Sequence, residues 1–208
     1  DAATIVPELV SAFDEPYADS SAIPVLCVAR LARQSVTVAL TGEGGDEVFA
    51  GYKTYAATRL AGVYRRAVPS PLRSLVAWGV NHLPVSHGKV SFDYMAKRFV
   101  AGASRDAVDA HFSWKAIFDE AAKQSLYRDP RAVGPTVRLY HEAVAGIDPQ
   151  DLLARLLMID TRLGLEGDML VKADRMSMAT SLEGRVPLLD HPLVEMVAAI
   201  PSRFKMRG

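Results

Sequence analysis

The sequence predicts a mainly α-helical chain that carries one strand, at about residues 36–40. Three observations lead there. Apolar residues recur at three- and four-residue spacing over most of the length. One run, Val36-Thr-Val-Ala-Leu40, has strand character. That run passes directly into a turn with three glycines, Thr41-Gly-Glu-Gly-Gly-Asp46. A single strand cannot form a sheet. Either the chain is all-helical with a stray extended segment, or the other strands lie upstream of Asp1. The second alternative agrees with a chain that opens on Asp rather than Met.

Taken in order, residues 4–13 read as a short helix, broken by Asp14-Glu-Pro-Tyr-Ala-Asp19 because Pro16 opposes helical continuation. Asp19 or Ser20 can cap the next helix, to about Arg33, with Ile23, Leu26, Cys27, the Arg30 stem and Leu31 inward. Val36, Val38 and Leu40 suit a buried strand. Helical segments are expected near 45–66, 70–80, 90–101, 104–112 and 114–126, with Ser70-Pro71 as an N-cap and first-turn proline. The segment 150–163 places Leu152, Leu153, Leu156, Leu157 and Leu163 on one face. Asp168 is expected to cap a helix over about 169–182, and Asp190 a last helix that Pro201 ends.

Composition narrows the function. At 208 residues the chain is one large domain or two small ones. Half of it is apolar, which supports a core. Zero net charge argues against a general nucleic-acid binder. A single cysteine, Cys27, excludes a disulfide within the chain and reads as a buried structural thiol. No apolar run reaches spanning length and no signal peptide is visible, so a cytoplasmic protein is expected, without membrane association.

The glycine turn carries the first chemical signal. Gly42, Gly44 and Gly45 permit backbone conformations that a side chain would forbid. At the carboxyl end of a strand and the start of a helix, such a turn can hold an anionic ligand. The acids Glu43, Asp46 and Glu47 add the capacity for a magnesium ion, an amine or a proton. The competing reading is an ordinary connection with solubilising acids. The second signal is Lys172, three residues from Arg175 on a helix otherwise rich in small and apolar residues. A lysine there can meet a phosphate as a point charge, or simply cover apolar surface with its stem.

Four motifs then converge. Phe13-Asp-Glu-Pro-Tyr-Ala-Asp-Ser-Ser-Ala-Ile-Pro24, Thr41-Gly-Glu-Gly-Gly-Asp-Glu-Val-Phe-Ala-Gly-Tyr52, Val171-Lys-Ala-Asp-Arg-Met-Ser-Met-Ala179 and Leu182-Glu-Gly-Arg-Val-Pro-Leu-Leu-Asp-His191 resemble, in order and spacing, the C-terminal synthetase domain of glutamine-dependent asparagine synthetases. The resemblance extends over about residues 13–205 and is specific at 13–53 and 166–192. It implies that residues 1–208 form the C-terminal part of one synthetase domain. The complete domain would have an α/β adenine-nucleotide α-hydrolase-like (Rossmann-like) fold.

The resemblance also implies a reaction. MgATP activates a side-chain carboxylate, aspartate in the family, as an acyl-adenylate with release of pyrophosphate. Ammonia, made from glutamine by an N-terminal glutaminase domain of the same polypeptide, then displaces AMP. By position, Glu43 would handle the amine and take its proton. Asp46 would bind magnesium, and Lys172 would stabilise charge on the phosphates and the adenylate. Thr41, Gly42, Gly44 and Gly45 would lie against the nucleotide. The family's Ser-Gly-Gly-x-Asp-Ser phosphate loop and its glutaminase domain are expected upstream of residue 1, so residues 1–208 alone are expected to be inactive. Ala50 stands where relatives often have glycine, a small departure if the local dihedrals are ordinary.

Three alternatives stay open: another carboxylate acceptor, a cell-surface sugar, or a non-catalytic helical interaction module. A homodimer stays open as well. Between Glu47 and Asp93 there is no acid, while Lys53, Arg59, Arg65, Arg66, Arg73 and Lys89 are basic. That segment reads either as a docking face or as a helical surface compensated by acids at 14–19 or 142–151.

Overall fold

The computed structural model describes residues 2–84, 91–129, 133–148 and 150–206. The chain forms two compact units, Asp1–Ala50 with Leu157–Met206, and Gly51–Leu156. In the first, a 3-10 turn precedes α1 (Val6–Ala12). Then come α2 (Ala22–Arg33), β1 (Val38–Leu40) and α3 (Gly45–Phe49). The second contains α4 (Lys53–Ala67), α5 (Ser70–Asn81), α6 (Phe92–Ala103), α7 (Ala107–Lys115), α8 (Glu120–Leu126) and α9 (Val137–Ala143). Helix α10 (Leu152–Ile159) crosses the boundary and continues without a break through a π-helical segment, Asp160–Leu170, into α11 (Val171–Met178). The first unit closes with β2 (Glu183–Arg185), a 3-10 turn at Pro187–Leu189, α12 (His191–Ala198) and α13 (Ser202–Lys205).

The mainly helical architecture and the strand after α2 agree with the sequence. Its partner does not. Strand β2, which the sequence did not predict, pairs with β1 in parallel, Ala39 opposite Gly184, and the helix expected to run to about 182 ends at Met178. Glu183-Gly-Arg185 has little strand propensity, so pairing with β1 sets its conformation. Val36, Val38 and Leu40 are exposed rather than buried, Leu40 by 74%. Among the described residues the sheet has only these two strands, so β1 has one neighbour.

Helix α2 turns Leu26 inward as expected, but the rest of its inward face is different. Ala22, Leu26 and Ala29 are buried, while Cys27 and Leu31 are exposed. The cluster Phe13, Ala22, Leu26 and Met176 forms where α2 lies along α11. Alanines at that contact let the two backbones approach more closely than Ile23 or Leu31 would allow.

The expected helix over 45–66 is two helices. Ala50 takes the left-handed conformation, φ 62° and ψ 42°, and ends α3. Its dihedrals are therefore not ordinary. Asp168 caps nothing, because it lies inside the π segment. Neither Asp190 nor Ser70 makes a side-chain cap bond; Ser70 is already within α5. Ser91, Asp106 and Asp119 are the working caps of α6, α7 and α8.

In the second unit Tyr55, Thr58 and Ala61 of α4 are buried, and Tyr55 stacks on His111 of α7. Lys89 lies outside the described residues. Of the acids expected to compensate the basic segment, Asp14 and Asp19 instead pair with Arg175 and Lys172, and Glu142 pairs with Arg138. Arg65 donates to the Ala103 carbonyl at 3.0 Å. No helix among the described residues is long and apolar enough to cross a membrane.

Candidate active site

All the expected site residues fall in the first unit. The turn Thr41–Gly44 joins the carboxyl end of β1 to α3. The Thr41 N–H donates to the Arg185 carbonyl at 2.8 Å, extending the parallel ladder by one residue. Only one of the three glycines is required by its backbone. Gly44 has φ +86°, and a Cβ there would overlap the Leu189 side chain. Gly42 has open space around it, and a Cβ on Gly45 would sit 3.1 Å from Leu188 Cδ1. Helix α3 is five residues long, little more than one turn, so its dipole is weak. The charge preference of the site comes from side chains.

Those side chains are mostly acidic. Glu43 is half-buried, and burial pushes its carboxyl upward. Lys172 opposes that shift, while Glu47, Asp168 and Asp46 reinforce it. Glu43, Lys172 and three further carboxylates therefore share one electrostatic neighbourhood. Asp46 is exposed and Glu47 is buried.

Lys172 is 4% exposed. Its ammonium donates to Asp19 Oδ2 at 2.5 Å, to Ser21 Oγ at 2.7 Å and to the Met169 sulfur at 3.3 Å. Burial alone would raise the Asp19 carboxyl, but hydrogen bonds from Lys172 and from Ser21 outweigh it and hold the group below the ordinary aspartate range. Tyr17, stacked on Phe13, donates its hydroxyl to the Asp168 carboxylate and to the Asp168 carbonyl oxygen. Burial and that carboxylate drive the phenol far above its usual range, so it stays protonated.

Lys172 thus acts on Glu43 electrostatically, and its direct contacts are Asp19 and Ser21; with Tyr17 and Asp168 these are residues that the sequence reading did not assign to the site. Asp19 and Asp168 read as helix caps. The π-helical run that presents Asp168 has no simple sequence signature, although such segments concentrate at functional sites. The available signal was the Asp19-Ser-Ser21 run inside a motif already singled out.

Two features bear on what could bind. Thr41 Oγ1 is buried without a hydrogen-bond partner among the described residues. A groove of about 400 Å³ beside it is bordered by Thr41, Glu43, Asp174 and Ser177 and is otherwise largely apolar. That volume lies within the usual range for small-molecule sites. Glu43, Asp46 and Asp168 do not converge as a three-ligand cage among the described residues. They fit magnesium only as it usually binds with nucleotides, through one or two carboxylates plus phosphate oxygens. A three-ligand set does occur in the second unit, at Asp106, Asp109 and His141. There Asp106 caps α7, and His141 bonds Asp109 at 2.8 Å, which gives each a structural role.

A glycine turn at the carboxyl end of a parallel strand, with carboxylates and a buried lysine, defines a candidate site for an anionic ligand held through a cation. The chain belongs to the asparagine synthase family, whose family model matches residues 1–208. It is 30% identical to "Asparagine synthetase [glutamine-hydrolyzing] 1" of Bacillus subtilis (strain 168) over 98% of the chain and 31% of that protein. It is 34% identical to a "Putative asparagine synthetase [glutamine-hydrolyzing]" of Mycobacterium bovis over 97% of the chain and 30% of that protein. A "Putative asparagine synthetase [glutamine-hydrolyzing] 2" of Methanocaldococcus jannaschii matches at 54% identity over 43 residues, 21% of the chain and 8% of that protein. The chain thus spans about a third of the length of the first two. No solved structure gives a significant match.

Proposed function

We propose that this chain supplies the amide-forming part of an ATP-dependent, glutamine-hydrolysing asparagine synthetase. The observation that carries the reading is the buried Lys172 ammonium within electrostatic reach of Glu43 beside the glycine turn. Residues 1–208 are then the C-terminal part of one synthetase domain, whose complete sheet is Rossmann-like. The remainder of the polypeptide includes the glutaminase domain that supplies ammonia, and the setting is cytoplasmic.

Each residue has a role that its surroundings suit. Thr41, Gly42, Gly44 and Gly45 line the nucleotide side of the turn, and Thr41 Oγ1 offers an unused donor and acceptor. Asp46, exposed at the start of α3, is the ligand for magnesium, which when bound neutralises phosphate charge. Lys172 meets the charge that builds on the phosphates as the substrate carboxylate attacks, from a position largely out of water. Glu43 receives the proton as ammonia adds to the acyl carbon. Its raised carboxyl makes it a stronger base than an ordinary glutamate.

The test is pyrophosphate and AMP release by the intact polypeptide with MgATP, across a panel of carboxylates. Aspartate-dependent release is expected. Release that depends on no carboxylate overturns the reading.

A further inference from the structure

Lys172 is separated from Asp19 by 153 positions in sequence, yet Asp19 and Ser21 hold its ammonium. The loop that carries them is tied down on both sides of Asp19. Ser21 donates to Asp19 through its backbone N–H at 2.9 Å and through its hydroxyl at 2.5 Å. Tyr17 stacks on Phe13 and donates to Asp168 in the π segment next to α11. The Asp19 carboxylate therefore has little freedom, and its position fixes that of the lysine.

The three contacts of the ammonium are unequal. Asp19 is a charged acceptor at 2.5 Å and Ser21 a neutral oxygen acceptor at 2.7 Å. The third, the Met169 thioether at 3.3 Å, is a weak acceptor. An arriving phosphate oxygen most readily takes the N–H that faces Met169, and the other two contacts are kept. Lys172 then works as an anchored cation with one direction open.

We propose that Asp19 and Ser21 are positioning residues for adenylation, aiming Lys172 by holding two of its three N–H groups. This rests on the role given to Lys172 above. Asp19 also offsets the charge of the cation it pairs with, so its removal has opposite effects on binding and on rate. Without it, a more positive pocket attracts ATP at least as well in the ground state, but the ammonium is no longer aimed when charge develops.

The experiment is a double-mutant cycle in the intact polypeptide with Asp19→Asn, Lys172→Met and the pair, together with Ser21→Ala. Aspartate-dependent pyrophosphate release and the thermal midpoint are read for each. Asp19→Asn is expected to lower kcat at least about tenfold with KM for ATP unchanged or lower, a split that general loosening of the fold does not produce. Ser21→Ala is expected to lower kcat by a smaller factor. In the Lys172→Met background, Asp19→Asn should change kcat by less than about twofold and cause no further drop in midpoint, because the partner it held is gone. Equal losses in both backgrounds, or a rise in KM that matches the fall in kcat, overturn the positioning role. Wild-type release by Lys172→Met overturns the catalytic reading itself. Strictly additive midpoints across the cycle overturn the coupling of Asp19 to Lys172 independently of activity.

Discussion

Gly44 lies directly beneath Leu189, so two sequence motifs that are 145 residues apart are packed glycine against leucine. The left-handed conformation of Gly44, φ +86°, and this contact both exclude a side chain. Gly44→Ala should cost about 1–2 kcal/mol for the left-handed backbone, with overpacking adding a similar amount. Gly42→Ala, in open space, should cost under about 1 kcal/mol. Denaturant midpoints check the contrast; equal effects would mean that the turn does not pack as described.

Ala50 is the converse case. It adopts φ 62° and ψ 42° at the end of α3, where glycine pays no steric penalty. Ala50→Gly should stabilise the protein by about 0.5–1 kcal/mol, the strain relieved being partly offset by a freer unfolded chain. A lower thermal midpoint for that variant would contradict the assigned backbone.

The two perturbed site carboxylates give opposite pH signatures. The Glu43 carboxyl is raised in the fold by burial and by neighbouring acids, so the folded protein prefers it protonated. Its stabilising contribution is complete below the ordinary glutamate value, 4.5, and is lost as pH rises through the raised one. Glu43→Gln should therefore be at least as stable as wild type near neutral pH. Asp19 is lowered, so its contribution is present above the ordinary aspartate value, 3.8, and is lost as pH falls through the lowered one. The stability penalty of Asp19→Asn should be largest near neutral pH and shrink in acid. Thermal midpoints recorded from about pH 3 to 8 decide both; a penalty for Asp19→Asn that grows in acid would reverse the assignment.

How much of this was legible in the sequence depends on where the constraint lay. The strand at 38–40 and the glycine turn are local, and local propensity finds such features. The working caps at Asp106 and Asp119 are local too, yet the sequence reading named Ser70, Asp168 and Asp190 instead. Strand β2 is set by pairing with a partner 145 residues away, and no propensity in Glu183-Gly-Arg185 announces it. On α2 the sequence placed Leu26 inward correctly but missed Ala22, which packs in the same cluster as Met176 while Cys27 and Leu31 face outward. Glu43 and Lys172 could be named from motif, but their counter-groups could not. Asp19 and Asp168 look like caps until the fold brings the loop before α2 and the π segment onto α11.

Lys172 separates charge from shape. The ammonium is confined by Asp19, Ser21 and Met169 at 4% exposure, and a planar guanidinium does not fit the same three contacts. Lys172→Arg should thus lower both the thermal midpoint and aspartate-dependent pyrophosphate release, despite keeping the charge. Lys172→Met keeps the stem and should leave the fold intact while release falls by about 10²–10³-fold, the scale for losing one preorganised charge donor. If the arginine variant releases pyrophosphate at the wild-type rate, the confinement described for the ammonium is wrong.

The central claim is a division of labour in which Lys172 serves adenylation and Glu43 serves ammonia transfer. Its most direct test is to measure pyrophosphate release and asparagine formation side by side in intact Glu43→Gln with aspartate, MgATP and ammonia. The account predicts near-wild-type pyrophosphate release with amide formation reduced by about 10²–10⁴-fold, the usual effect of removing a general base. A fall in pyrophosphate release as steep as the fall in asparagine would contradict it.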